Sequence, residues 1–223
     1  MAFPVGIDAS PNAIARLLVA YARVRAACGG VPTREAMDLS QLRGLIGWEF
    51  FAEWVAPASI VVRLSGAHID YMLGTNVTRV NFFDKYRPEQ RALYAALYGA
   101  VADTPCGGYT GRRVVVGGTE VFDYHSIYLP LARKPDYVPI VGAVAISGFE
   151  RLAVPADGAP APNFEALDRL GVFDIGYGVP AGPPDTVDIA AIIAAIDAAG
   201  AVTLDSQALA TRSSLIGRPP RLR

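Results

Sequence analysis

An α+β domain on a five-stranded antiparallel sheet is the fold class this sequence predicts, and three observations predict it. Two alternating apolar runs, near 48–54 and 60–65, are joined by the short turn Ala56-Pro57-Ala58-Ser59 and read as a β-hairpin. Three more strand patterns follow one another from Thr110 to Ile146, separated by Gly117-Gly118 and by Arg133-Lys134-Pro135-Asp136. Between the two groups lies a helical stretch that ends in a long helix over 88–103. Strands and helices segregated in this way put the helices on one face of the sheet, with room for a pocket between.

Composition sets the frame for these elements. The chain has 223 residues, 52% apolar and 18% charged, which is enough apolar material for a real core. Net charge is −1, so the global balance attracts neither nucleic acid nor an anionic membrane surface. Mean hydropathy is +0.30, yet charges, Gly or Pro interrupt every apolar stretch before the ~18 residues of a membrane span. The start, MAFPVGIDASP, lacks the basic and apolar regions of a signal peptide. Two cysteines, Cys28 and Cys106, are too few for a disulfide framework. A cytoplasmic protein with free thiols is expected.

The first element is a helix. Ser10 and Pro11 suit its N-cap and first turn, and Gly29-Gly30 its end. Ile14, Leu17, Leu18, Tyr21, Val24 and Cys28 recur at helical spacing in a narrow, nearly heptad stripe. Such a stripe packs on the chain's own sheet or on a second copy. The expectation carried forward is a homodimer through Leu17, Leu18, Tyr21 and Val24. After the hairpin, Ile69, Met72 and Leu73 mark a short helix. The helix over 88–103 has Pro88 and Glu89 in its first turn and an apolar face of Leu93, Tyr94, Leu97, Tyr98 and Val101.

In the last three strands, Phe122, Tyr124, Ser126 and Tyr128 alternate with His125, Ile127 and Leu129, and 137–146 is the near-continuous apolar run of a central strand. Residues 153–163 are Ala- and Pro-rich and read as a linker. A short helical piece is predicted around 164–173. A clear amphipathic helix follows, with Asp185 or Thr186 as cap and Ile189, Ile192, Ile193 and Ile196 on one face. The expected division is an N-terminal helix over 1–30, a domain over 31–150 and a C-terminal linker and helical extension over 151–223. The closing TRSSLIGRPPRLR, with four arginines and no acid, reads as a solvated terminus.

Four short motifs occur in an order that resembles one family. They are Arg63-Leu64-Ser65-Gly66-Ala67, Leu73-Gly74-Thr75-Asn76-Val77-Thr78-Arg79, Ile127-Tyr128-Leu129-Pro130-Leu131 and Asp174-Ile175-Gly176-Tyr177-Gly178. They resemble the "RL-A/S-G-T", "G-x-x-hT-G", "h-x-LPL" and "D-I-G-x-G" stretches of a stand-alone bacterial PAS-like family of alphaproteobacterial type. The resemblance covers about residues 31–178. Ala67 stands where that family usually has Thr, and Arg79 where it usually has Gly. The resemblance implies a PAS-like sheet and a sensory or regulatory module, not an enzyme. Such a module binds a small molecule or a protein partner and signals in trans.

Candidate site residues are few. His68 and His125 are the only histidines. His125 shares strand parity with Ile127 and Leu129, so it is the polar group expected to meet a ligand on a core-facing sheet face, with Tyr71 and Tyr94 supplied by the covering helices. Arg63 and Arg113 lie in strand patterns and are candidates for an anionic ligand; pairing with Glu49 or Glu53 is the structural alternative. A haem on a single axial His is not expected, and Cys106 between Thr104-Pro105 and Gly107-Gly108 does not suit a flavin adduct. No metal-ligand spacing exists. Asp123, His125 and Ser126 do not make a hydrolase, because adjacent strand residues diverge and no G-x-S-x-G is present. The enzyme alternative is a cone-fold isomerase or lyase with Asp123 beside Tyr71 or Tyr94. A pure interaction adaptor without ligand is the other.

Overall fold

The structure, a computed structural model, describes residues 12–38, 40–73, 75–116, 120–148 and 163–200. The order is α1 (Ala13–Cys28), β1 (Glu49–Val55), β2 (Ser59–Ser65), α2 (Ala67–Leu73), α3 (Pro88–Asp103), β3 (Gly107–Val116), β4 (Glu120–Pro130), β5 (Val138–Ser147), β6 (Asn163–Phe173) and α4 (Ile189–Ala198), with short 3-10 turns at Arg43–Leu45 and Phe82–Lys85. All strand pairings are antiparallel, in the order β2-β1-β5-β4-β3-β6. This is the expected α+β class with one strand more than the five read from the sequence.

The sixth strand is where periodicity misled. Residues 164–173 pair with β3 as strand β6, although Phe164, Leu167 and Leu170 stand at helical intervals. The register slips between Gly111 and Arg112, where Arg169 and Leu167 become successive partners and Asp168 is skipped. An extra residue of this kind resets the alternation, so two leucines three apart pack on the same core. The sheet therefore runs past the expected domain limit at 150. Of the linker expected over 153–163, residue 163 opens β6, and the rest lies outside the described residues with the arginine-rich tail.

The sheet has a helix layer on each side. The connection carrying α3 covers one face, as expected. The other face is covered by α1 and α4. Ile14, Leu17 and Leu18 share one core with Ile127, Leu129, Val141 and Ile192, Ile193 and Ile196. Tyr21 fixes the helix by donating its hydroxyl to the Pro130 carbonyl at 2.7 Å. Each fully buried Leu or Ile contributes roughly 1.5–3 kcal/mol relative to exposure. Leu17, Leu18, Tyr21 and Val24 are thus buried inside a single chain. That corrects their reading as an exposed dimer surface: of the two partners open to the stripe, the structure gives it the chain's own sheet.

Caps account for the helix limits. Asn12 accepts from the amides of Ile14 and Ala15, and Gly29 closes α1 in the left-handed region at φ 69°. Ser10 and Pro11 lie outside the described residues. Asp188, rather than Asp185 or Thr186, caps α4 through the amides of Ala190 and Ala191. On the opposite face α3 lies close to the sheet because Gly108 has no side chain; a Cβ there would stand 2.9 Å from Val101 Cγ2.

Both outer strands are partly covered by returning chain. Beside β2, Arg79 donates to the Val62 carbonyl at 2.7 Å, Val62 donates to Val80, and the Asn81 side chain accepts from the Ile60 amide. Arg79 makes this turn at φ 69°, the one non-glycine in the left-handed region among the described residues. It is the position where the resembling family usually has Gly. Beside β6, Val172 donates to the Asp185 carbonyl and accepts from Val187.

Candidate functional site

A cavity of about 390 Å³ lies on the α3 face of the sheet. Its floor follows from strand parity. On β4, Tyr124, Ser126 and Tyr128 point to it, and their partners across β3 are Arg112, Thr110 and Gly108. On β1 and β2 the floor is Phe50, Ala52, Ile60 and Val62. Phe50 crosses to β5, where Gly142 leaves it room: a Cβ at Gly142 would stand 2.0 Å from Phe50 Cζ. A bulge at Phe51 and Ala52 then lets Ser65 also reach the cavity. The walls are Ile69 and Leu73 of α2, the loop residues Val77, Phe82, Lys85, Tyr86 and Arg87, and Gln90 and Tyr98 of α3.

The polar wall is organised around Arg112. Its guanidinium donates to the Tyr94 hydroxyl. It also lies 4.9 Å from the Tyr94 ring centroid and 5.4 Å from that of Tyr86. Those two rings stack on each other at 3.7 Å and 11°. Tyr86 and Tyr98 share a hydrogen bond between hydroxyls at 2.6 Å, and Thr110 and Tyr128 another at 3.2 Å. Burial pushes the phenols of Tyr86, Tyr94, Tyr98 and Tyr124 well up, so they stay neutral donors. Desolvation works against the charge on Arg112, but Tyr94, Tyr86 and Tyr128 outweigh it and its pKa is raised. The Ser65 hydroxyl is buried without a hydrogen-bond partner.

The segment that builds this cavity matches a known sequence family. A family model described as PAS domain matches residues 11–145, more than half of the chain. The chain belongs to the PAS domain family. No curated protein and no solved structure matches it. In this PAS domain the matched segment begins just before α1 and ends within β5, so it includes every wall of the cavity.

The predicted site residues fall on both sides of the sheet. His125 has the predicted parity but the opposite face: it points to the α1 side with Ile127 and Leu129, away from the cavity. There its Nδ1 meets the Tyr109 hydroxyl at 2.8 Å and its Nε2 meets Ser147 Oγ at 2.9 Å. A neutral imidazole donates once and accepts once, so both bonds are satisfied. Burial, partly opposed by Asp123, holds its pKa below the ordinary histidine value. Tyr94 does belong to the cavity side, behind Arg112. Tyr71 falls in α2, with its side chain outside the described set.

Arg63 pairs with Glu53 at 2.5 Å, and Arg113 lies 3.8 Å from Asp123, both largely exposed and neither lining the cavity. The arginine that enters it is Arg112, one residue from the one singled out. Asp123 is on the far side of the sheet from Tyr94, which separates the carboxylate–phenol pair of the isomerase-like alternative. His68 packs on Trp48 at 4.9 Å, and burial lowers its pKa. Cys106 is buried and donates to the Ala100 carbonyl; burial, with Asp174 adding to it, pushes its thiol up to about 12. Among the described residues no group of three His, Cys, Asp or Glu is placed to hold a metal ion, and no helix is long and apolar enough to cross a membrane.

What sequence reasoning missed is the hydroxyl-bearing half of β4. Tyr124, Ser126 and Tyr128 supply half of the sheet's polar lining, with Thr110 opposite. The signal was available: an apolar row is filled by a helix, whereas small and hydroxylated residues at every second position leave space and offer donors.

Proposed function

We propose that this PAS domain is a sensory or regulatory module that binds a small molecule in the cavity under α3 and passes the signal to a protein partner. The cavity carries this reading. Its size falls in the ~300–1,000 Å³ of small-molecule sites, and its lining combines apolar side chains with convergent hydroxyls and one inner guanidinium. The helices over it are the elements through which occupancy would be felt outside, because Tyr86, Tyr94 and Tyr98 connect the cavity to α3 and the loop before it. An adaptor without ligand would need a filled core instead.

Native mass spectrometry of freshly purified protein tests this, together with the variant Ser65→Phe, which fills the cavity from the end of β2. A small molecule that stays with the wild type, or is captured from a metabolite mixture, and is absent from a normally folded Ser65→Phe supports the reading. Identical behaviour of the two proteins rejects it in favour of the adaptor.

A further inference from the structure

Polarity is unevenly distributed along the cavity. The β2 end is lined by Ile60, Val62, Ile69, Leu73 and Val77, with Ser65 and Thr75 as polar exceptions. Thr75 is exposed, so water serves its hydroxyl. The Ser65 hydroxyl is shut from solvent and has no hydrogen-bond partner. Of the charged residues lining the cavity, Lys85 and Arg87 reach solvent, and Arg112 stands on β3, four interstrand steps from β2. The backbone that carries Ser65 is pinned. Ser65 lies across from Phe50 in the β1–β2 ladder, and the next residue, Gly66, donates to the Glu49 carbonyl at 2.9 Å. The His68 amide donates to the Gly47 carbonyl at 3.0 Å, and a Cβ on Gly66 would stand 2.3 Å from that same oxygen. The side chain, in contrast, is held by nothing. It turns about χ1 between staggered positions without breaking a hydrogen bond.

We infer that the β2 end of the cavity takes an uncharged hydrocarbon group carrying one oxygen, a carbonyl or a hydroxyl, which accepts a hydrogen bond from Ser65 Oγ. This rests on the ligand-binding reading above and adds the chemistry of the ligand at that end. Aliphatic walls with one polar group among them match a hydrocarbon with one polar atom. An ion of either sign would lose its hydration among these side chains, whereas a single neutral oxygen needs only one donor. Leaving the Ser65 hydroxyl unpaired in the interior carries a desolvation cost, which a ligand oxygen recovers and a pure hydrocarbon does not. Because the backbone is already fixed, binding orders one side chain and no loop.

The test is an amide NMR titration of the full chain with methyl ketones from butanone to octanone. Each ketone is paired with the analogue in which a methylidene group replaces the carbonyl oxygen, and hexanoate and hexylammonium serve as charged controls. Ketone and analogue should both bind, shifting the amides of Ser65, Gly66 and Ile69. Ser65→Ala should weaken each ketone at least about fivefold, the scale of one hydrogen bond, and leave its analogue unchanged or tighter. If Ser65→Ala does not fold, the labelled carbonyl carbon of the ketone replaces it as the readout. On the wild type that carbon should move downfield from its position in hexane, as an accepted hydrogen bond requires. Equal effects of Ser65→Ala on ketone and analogue, an unmoved carbonyl carbon, or tighter binding of either ion at the same amides overturns the Ser65 assignment and leaves the ligand-binding reading standing. Failure of every compound while native mass spectrometry still finds a retained molecule does the same. Failure of every compound, with wild type and Ser65→Phe indistinguishable, rejects both.

Discussion

On one side of β4, Ile127 and Leu129 share a closed core with Ile14, Leu17 and Leu18 of α1. On the other side of the same strand, Tyr124, Ser126 and Tyr128 border open space. The two faces are made by alternate residues of the same strands, yet one is filled by aliphatic side chains and the other is propped open by hydroxylated aromatics. The difference lies in what packs back. A helix that offers Ile, Leu and Ala interdigitates with an aliphatic sheet face and leaves no gap. Helix α3 and its preceding loop offer tyrosines that stack on one another and bond to one another; Tyr98 packs on Trp54 and Tyr128 of the sheet, and the cavity opens beside this cluster.

The largest expected effect breaks the filled face. Leu18→Ala removes a fully buried side chain and should cost about 2–5 kcal/mol in urea unfolding, with little change in ligand affinity among folded molecules. A loss below about 1 kcal/mol would mean that α1 is loosely held and that the contrast between faces is overdrawn.

On the cavity side, Tyr86→Phe leaves the Tyr98 hydroxyl without its partner. A loss of about 1–3 kcal/mol is expected, together with altered ligand binding, since Tyr86 and Tyr98 both line the cavity and lose the hydroxyl bond that ties them. No change in either quantity would remove the tyrosine cluster from the list of supports.

Arg79→Gly sharpens the comparison without touching the cavity lining. It relieves a left-handed non-glycine residue and should stabilise the chain by about 1 kcal/mol. If the urea midpoint falls instead, the Arg79 side chain contributes more than its backbone costs.

The histidine of the filled face predicts a pH dependence. His125 has a folded pKa below its unfolded value of about 6.5, with burial as the main cause. The unfolded chain therefore binds the proton first. This contribution to stability is full above about pH 6.5 and is lost as pH falls through the window beneath it. His68, also lowered by burial, acts with the same sign. His125→Gln should flatten part of the stability difference between about pH 5.5 and about pH 7.5; an unchanged difference rejects the assignment.

The smallest effect is Ser65→Ala. Its hydroxyl is buried without a partner, so removing it should change stability by less than about 0.5 kcal/mol, or raise it. A clear loss would place a bound water or ligand atom on that hydroxyl.

Local order was legible in the sequence. The helix over 88–103, the hairpin and the three later strands follow from spacing and turn residues within a few positions, and the structure has them there. The PAS resemblance agrees with the family match over 11–145, which contains three of the four motifs; Asp174-Ile175-Gly176-Tyr177-Gly178 lies beyond it. Choices made by tertiary packing were not legible. Strand parity grouped His125 correctly with Ile127 and Leu129, but parity alone does not say which helix faces that row. Arg112 and Arg113 have equal claims until the pairing with Tyr124 assigns the first to the cavity. Strand β6 was hidden because its bulge imitates helical spacing. The α1 stripe was compatible with two partners, and only the presence of an uncovered aliphatic sheet face decides between them.

The returning segments beside β2 and β6 bear on how this chain behaves in a crowd. An outer strand exposes a ladder of free amides and carbonyls, which is the template on which sheets of different molecules fuse. Here Val62 spends both its amide and its carbonyl on the 79–80 turn, and Val172 spends both of its own on 185–187. A foreign strand must first peel these segments away, and beside β2 that also unhooks the Asn81 side chain that holds the wall of the cavity. Resistance to fusing with neighbours and integrity of the pocket are therefore one property in this molecule, and conditions that loosen the 79–81 turn should empty the cavity before they clump the protein.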